Sequence, residues 1–164
     1  MRLYALIAAL ALAGCQAQPT VYDVPKSQSY DLRQSDIWDR LLAVLEAEGF
    51  SITDANPTSG RLQATLAGFQ DQGWAVCKPR RVIDRHDDKN RRGRGRPVDR
   101  QLDLVADIVD NSRVNLQTSF SERQINPFKN LPFQTSCRST GTFERLLFDR
   151  LNDTPTASTE RTSG

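Results

Sequence analysis

Between Gln101 and Phe120 the chain reads QLDLVADIVDNSRVNLQTSF. Gln101 to Asp110 has the β-branched and leucine content of a strand with apolar residues on both faces. Arg113 to Phe120 alternates through Val114, Leu116, Thr118 and Phe120, the two-residue period of a strand with one buried face. Asn111-Ser112 between them reads as a tight turn. Two such runs joined by so short a connection pair as an antiparallel hairpin. Any fold for this chain must be built around that ribbon and must cover its apolar side.

The cover comes from two segments with a helical period. Ser35 to Glu48, SDIWDRLLAVLEAE, places Ile37, Leu41, Val44 and Leu45 on one stripe, widened by Trp38 and Leu42. Ser35 suits the N-cap, Asp36 and Asp39 suit the positive end of the helix dipole, and Gly49 follows where a left-handed cap residue belongs. A second helix is expected over Thr142–Leu151, capped by Ser139 or Thr140, with Phe143, Leu146, Leu147 and Leu151 inward. Phe50–Thr53 and Arg61–Ala67 flank the turn cluster Asn56–Gly60 and read as a second hairpin. Gly73–Lys78 is a further short strand, with Trp74 and Val76 on one face and Cys77 on the other. Ile125–Phe133, with two prolines, reads as an irregular connection. Strands in the middle and helices at either end predict an α+β fold. Its antiparallel sheet of about five strands is packed by an N-terminal and a C-terminal helix. A chain of 164 residues accommodates one such domain, assigned to residues 28–151.

The first residues, MRLYALIAALALAGC, combine Arg2, an apolar stretch from Leu3 to Leu12 and a small-residue end. That is the layout of a secretory signal peptide over residues 1–14, well short of the ~20 apolar residues of a spanning helix. Leu12-Ala13-Gly14-Cys15 resembles the bacterial lipobox. The resemblance implies that Cys15 is acylated and becomes the mature N-terminus. Two or more acyl chains hold a protein firmly to a bilayer. Gln16, rather than Asp, follows the cysteine, which favours an outer-membrane anchor with the domain in the periplasm. Residues 15–27 then form the lipidated cysteine and its tether. Residues 152–164, NDTPTASTERTSG, are polar enough to read as a disordered tail.

Export bears on the cysteines. With Cys15 lipidated, Cys77 and Cys137 remain, an even pair in an oxidising compartment, and they are expected to form a disulfide. Free buried thiols or one reactive cysteine are the alternatives. The single histidine, His86, lies in a charged segment, and two cysteines with one histidine at these spacings make no recognisable zinc site. No nucleophile–base pair or paired carboxylates stand out. Asp103, Asp107 and Asp110 lie along one strand and are expected to face solvent. The reading is therefore a non-enzyme with no catalytic residues, metal or cofactor.

The formal charge is only +2, so basic character here is local. From Lys78 to Arg100 there are ten Lys/Arg against four Asp, and only Val82, Ile83 and Val98 are clearly apolar. Such a segment cannot order itself and reads as a long basic loop over residues 78–100. Within it, Arg94-Gly95-Arg96-Pro97 resembles the AT-hook, a peptide that lays arginines into the DNA minor groove. An exported chain does not normally meet chromosomal DNA, and the interspersed aspartates repel phosphates. Nucleic acid is therefore an alternative reading. The main reading gives Arg91, Arg92, Arg94 and Arg96 an anionic partner, either lipid headgroups or an acidic protein surface.

Two stretches carry a family resemblance. Ser35–Leu66, SDIWDRLLAVLEAEGFSITDANPTSGRLQATL, has a helix ending in Gly-Phe, a strand, a turn with Asp and Gly, and a second strand. Cys137–Leu151, CRSTGTFERLLFDRL, has a cysteine, Ser-Thr-Gly and a closing helix. Together they resemble small bacterial outer-membrane lipoproteins with a helix-grip-like domain. Examples are the repeated domains of the third lipoprotein subunit of the outer-membrane β-barrel assembly machine. The resemblance implies an accessory or scaffolding component of an envelope assembly, held to the membrane by its N-terminal lipid. Helix-grip folds also hold apolar ligands, so a periplasmic small-ligand or lipid binder is a further alternative.

Overall fold

The computed structural model describes residues 20–70, 72–84 and 91–153. The signal segment, Cys15, His86 and residues 154–164 lie outside the described residues. The elements in chain order are β1 (Ser27–Ser29), α1 (Gln34–Ala47), β2 (Ser51–Asn56), β3 (Arg61–Ala67), β4 (Ala75–Val76), β5 (Arg81–Asp84), β6 (Arg91–Arg94), β7 (Arg96–Val109), β8 (Arg113–Ile125), β9 (Pro132–Ser139) and α2 (Thr142–Asp153). The fold is α+β and antiparallel. Its main sheet has seven strands rather than about five, in the order β2-β3-β7-β8-β9-β4 with β1 added to β8. β5 and β6 form a separate two-stranded sheet.

The β7–β8 ribbon is the backbone of the fold, and it is longer than its apolar pattern indicates. Pairing runs from Val109↔Arg113 at the turn to Arg96↔Ile125 at the far end. The turn includes the expected Asn111 and Ser112 and begins one residue earlier, at Asp110; Asp110 and Asn111 have positive φ. These are residue types that tolerate the left-handed region. Leu102, Leu104, Ala106 and Ile108 of β7 face Phe120, Thr118, Leu116 and Val114 of β8, and Leu62 and Ala64 of β3 continue the buried face.

Both helices cover that face. α1 begins at Gln34 with Arg33 at the cap position and no side-chain cap, so Ser35 is not the N-cap. The Arg33 guanidinium instead pairs with Asp36 in the first turn. The C-terminus follows the expectation closely. Gly49 has φ +82°, its N–H donates to the Glu46 carbonyl, and the Phe50 N–H donates to the Leu45 carbonyl. This is a Schellman closure, and it delivers Phe50 into the core. In α2, Phe143, Leu147, Phe148 and Leu151 are buried. The Thr140 hydroxyl accepts from the Thr142 N–H, and the Ser139 hydroxyl accepts from the Gly141 N–H and donates to Glu144. Phe143 lies 5.6 Å from Phe50 and 5.0 Å from Trp74 between ring centroids. Phe69 stacks on Trp74 at 5.5 Å. Side chains, each stabilising by roughly 1.5–3 kcal/mol when fully buried, fill the space between sheet and helices.

Pro132–Ser139, part of which read as irregular connection, is a strand. Pro132 can start it because a missing N–H is tolerated at a strand's first residue. β9 pairs with the outer half of β8, Phe120↔Cys137 to Ile125↔Pro132, and β4 adds beyond it through Ala75↔Ser139 and Val76↔Arg138. Trp74, just before β4, and Ala75 within it are buried while Val76 is 38% exposed, so Trp74 and Val76 are not buried together. Cys77 and Cys137 form a disulfide with Cα atoms 4.4 Å apart. It staples the short edge strand to β9.

Residues 20–27, read from sequence as the end of a tether, lie against the domain. β1 pairs with the start of β8, Ser29↔Arg113 to Ser27↔Asn115. Traced towards the N-terminus, the Lys26 carbonyl accepts from the Leu116 N–H, the Asp23 carbonyl from Arg145, and the Thr20 carbonyl from Arg138.

Candidate anion-binding surface

The basic segment is not one loop. Its described parts are strands, and specific contacts hold them to the domain. β7 enters the sheet at Arg96, whereas β6 leaves it to pair with β5, and Gly95 is the single residue between them. Gly95 is buried where a Cβ would overlap the Gln124 Oε1 and sit 2.6 Å from the Phe133 ring. Only glycine permits that approach. Gly93 is similarly close, its Cβ position lying 2.8 Å from Pro127 and 2.9 Å from Phe128.

Beneath Gly95 lies a polar network on the inner face of β8. Gln124 is fully buried; its Oε1 accepts from the Arg80 N–H at 3.1 Å and its Nε2 donates to Glu122 Oε2 at 2.7 Å. Glu122, 2% exposed, also accepts from Arg100 Nε at 3.1 Å. The Gly95 N–H closes the frame by donating to the Arg80 carbonyl at 3.0 Å. A buried carboxylate is tolerated when it is paired and hydrogen-bonded in this way. The network pins Arg80 and Gly95, the two ends from which the β5–β6 hairpin projects.

The hairpin register sorts the arginines. Arg81 faces Arg94 and Ile83 faces Arg92, whereas Val82 faces Gly93 and Asp84 faces Arg91. Directly opposed residues share a face. One face therefore presents Arg81, Arg92 and Arg94 around Ile83, which is 52% exposed. The other is turned to Pro127 and Phe128. Of the four arginines singled out from sequence, Arg92 and Arg94 come together. Arg91 lies across from Asp84, and Arg96 pairs with Ile125 in the main sheet. Arg81 and Ile83 escaped the sequence reading; the β-branched pair Val82-Ile83 between charged residues was the available signal.

Clefts border this face. One of about 620 Å³ is lined by Arg81, Val82, Ile83, Arg92, Gly93 and Arg94. Another, of about 310 Å³, runs between the hairpin and the Asn126–Phe133 rim and includes Leu131. No hydrogen bond or ion pair engages the Arg81, Arg92 or Arg94 side chains among the described residues. Guanidinium forks in that state are suited to phosphate or carboxylate oxygens. The RGRP core itself is not a free peptide, since Gly95 is covered by Gln124 and Phe133 and its flanking arginines belong to different sheets.

Several carboxylates elsewhere are engaged. Asp103, on the open face of the sheet, accepts from the Thr65 hydroxyl and the Gln101 amide, and Asp107 pairs with Arg61. Asp110 is in the exposed β7–β8 turn. Glu144 is buried and accepts from the hydroxyls of Ser139 and Thr118. Tyr30, whose hydroxyl donates to the Phe148 carbonyl, is pushed far above the usual phenol range by burial and by Asp149. Among the described residues no three His, Cys, Asp or Glu side chains gather as metal ligands. Comparison of the chain with protein-family models, curated proteins and solved structures finds no match.

Proposed function

We propose that this chain is a non-catalytic lipoprotein, acylated at Cys15 and anchored in the outer membrane, with its domain in the periplasm. There it serves as an accessory or scaffolding component of an envelope assembly, and its arginine-bearing hairpin meets an anionic partner. The reading of the anchor rests on the lipobox-like LAGC and the signal-like stretch before it. One structural observation carries the reading of the hairpin. A segment too charged to order itself is nevertheless held in place against the domain, by a buried Gln124–Glu122 network and by glycines at which a Cβ would crowd neighbouring side chains. Solvated loops have no need of such support. The Cys77–Cys137 disulfide, a bond suited to an oxidising compartment, is consistent with export.

Metabolic labelling with a fatty-acid analogue, followed by membrane fractionation, tests the anchor. Wild type carries label and fractionates with membranes, and Cys15→Ala loses both; label retained by Cys15→Ala refutes the anchor. Photocrosslinking in the intact envelope, from the open sheet face and from the hairpin, tests the assembly role. Discrete protein adducts are expected from at least one position, and none from any position refutes it.

A further inference from the structure

The β5–β6 hairpin and the N-terminal end of the described chain lie towards the same end of the sheet. The N-terminal segment runs from Ser29 beside Arg113, past Leu116, to Thr20 beside Arg138. Arg138 adjoins Cys137, which pairs with Phe120, so the segment travels along β8 towards its Ile125 end. That is the end on which the β5–β6 hairpin sits. The five residues from Cys15 to Thr20 can span at most ~17 Å. The remaining six residues of β9, from Arg138 to Pro132, span about 20 Å in the same direction. An acyl group on Cys15 therefore keeps the domain, and this end of the sheet with it, within reach of the bilayer.

The surface found there is mixed in a particular way. Arg81, Arg92 and Arg94 share a face, with Arg81 directly opposite Arg94. Like charges in that position are destabilising, and a bound anion relieves the repulsion. Ile83 lies among them, and Leu131, 60% exposed, borders the adjoining cleft. The one carboxylate on these two strands, Asp84, belongs to the opposite face. Cations ringing exposed aliphatic side chains match a headgroup layer, where phosphates meet guanidiniums and apolar groups enter below them. An acidic protein surface would leave the aliphatic groups in contact with charge.

We propose that the Arg81–Arg92–Arg94 face, with Ile83 and Leu131, docks on anionic phospholipid of the bilayer that holds the Cys15 anchor. Docking gives the tethered domain a fixed orientation. The proposal rests on the anchored reading, and the experiment separates the two.

The acylated, disulfide-intact protein carrying Ile83→Trp is reconstituted into vesicles of phosphatidylcholine alone or with phosphatidylglycerol, and quenching by brominated lipid is read. Trp38 and Trp74 are 8% and 3% exposed and supply an unquenched baseline. Co-flotation with both vesicle types reports the anchor; quenching of the added tryptophan reports docking. Quenching is expected only with phosphatidylglycerol, and it falls with added salt. Replacing Arg81, Arg92 and Arg94 by Gln lowers the docked-to-undocked ratio by roughly fivefold per charge, about a hundredfold together, while flotation is unchanged. Leu131→Trp gives the same pattern from the adjoining rim. Flotation without quenching in either tryptophan variant overturns the docking proposal alone. So does equal quenching in neutral vesicles, or displacement of the hairpin from anionic vesicles by polyglutamate at matched charge. Failure to float overturns the anchor.

Discussion

Replacing Gly95 by Ala tests whether the arginine hairpin is a built element. The added methyl would overlap Gln124 Oε1 and lie 2.6 Å from Phe133 Cζ and 3.1 Å from Gln124 Cβ. Gln124 cannot swing away freely, because its Oε1 holds the Arg80 N–H and its Nε2 holds Glu122. Moving it forfeits one neutral hydrogen bond, about 1 kcal/mol, and one to a carboxylate, about 1.5–3 kcal/mol. Residual overpacking against Phe133 adds about 1–3 kcal/mol. The expected loss is therefore about 4 kcal/mol, read as a lower denaturant midpoint at unchanged slope. Trypsin cleavage at Arg91, Arg92 and Arg94 should accelerate in parallel under native conditions, since the hairpin loses its support. A double-mutant cycle isolates the cause. In a Gln124→Ala background the overlapping oxygen and both hydrogen bonds are already gone, so Gly95→Ala should cost only about 1–2 kcal/mol, a coupling near 2 kcal/mol. A cost below about 0.5 kcal/mol for Gly95→Ala, or additivity in the cycle, would show that Gly95 is not held against Gln124 and refute the reasoning.

Replacing Cys77 and Cys137 together by Ala opens a loop of sequence separation 60 and should destabilise by about 4 kcal/mol on the chain-entropy account. Reductant should lower the wild-type melting temperature and leave the variant's unchanged. Glu144→Ala strands the Ser139 and Thr118 hydroxyls and should cost about 2–4 kcal/mol by denaturant titration; Glu144→Gln, which keeps an acceptor, should cost less. The Arg33 side-chain hydrogen bond, opposed by desolvation and aided by the charges of Arg33 and Arg40, lowers the Asp36 carboxyl below its ordinary 3.8. A depressed folded value means that the stabilisation is present above the ordinary value and is lost as pH falls through the folded one. In an NMR titration Asp36 should protonate below 3.8 in wild type and move back up in Arg33→Ala.

What the sequence disclosed, and what it withheld, follows from where each element obtains its order. The β7–β8 turn region and the Gly49 end of α1 were legible because their signals are local: alternation, a helical stripe and a residue that tolerates positive φ. β9 was not, because FQTSCRS lies towards the sheet's edge and needs few apolar residues to pair with β8. β5 and β6 were hidden for a stronger reason. The groups that order them, Gln124 and Phe133, lie some thirty to fifty residues further along the chain, and charge density alone argued for a solvated loop. The arginines were found because their clustering is visible in composition. Their division among surfaces was not, because it depends on the chain turning out of the sheet at Gly95. That residue reverses the reading of the RGRP motif. In the sequence its glycine reads as freedom for a peptide to lie along a groove. In the fold it is the point of closest contact, and the arginines on either side of it are directed to different surfaces. A motif defined by residue types specifies a binding mode only when the backbone between them is free to adopt it, and here Gln124 and Phe133 have already taken that freedom.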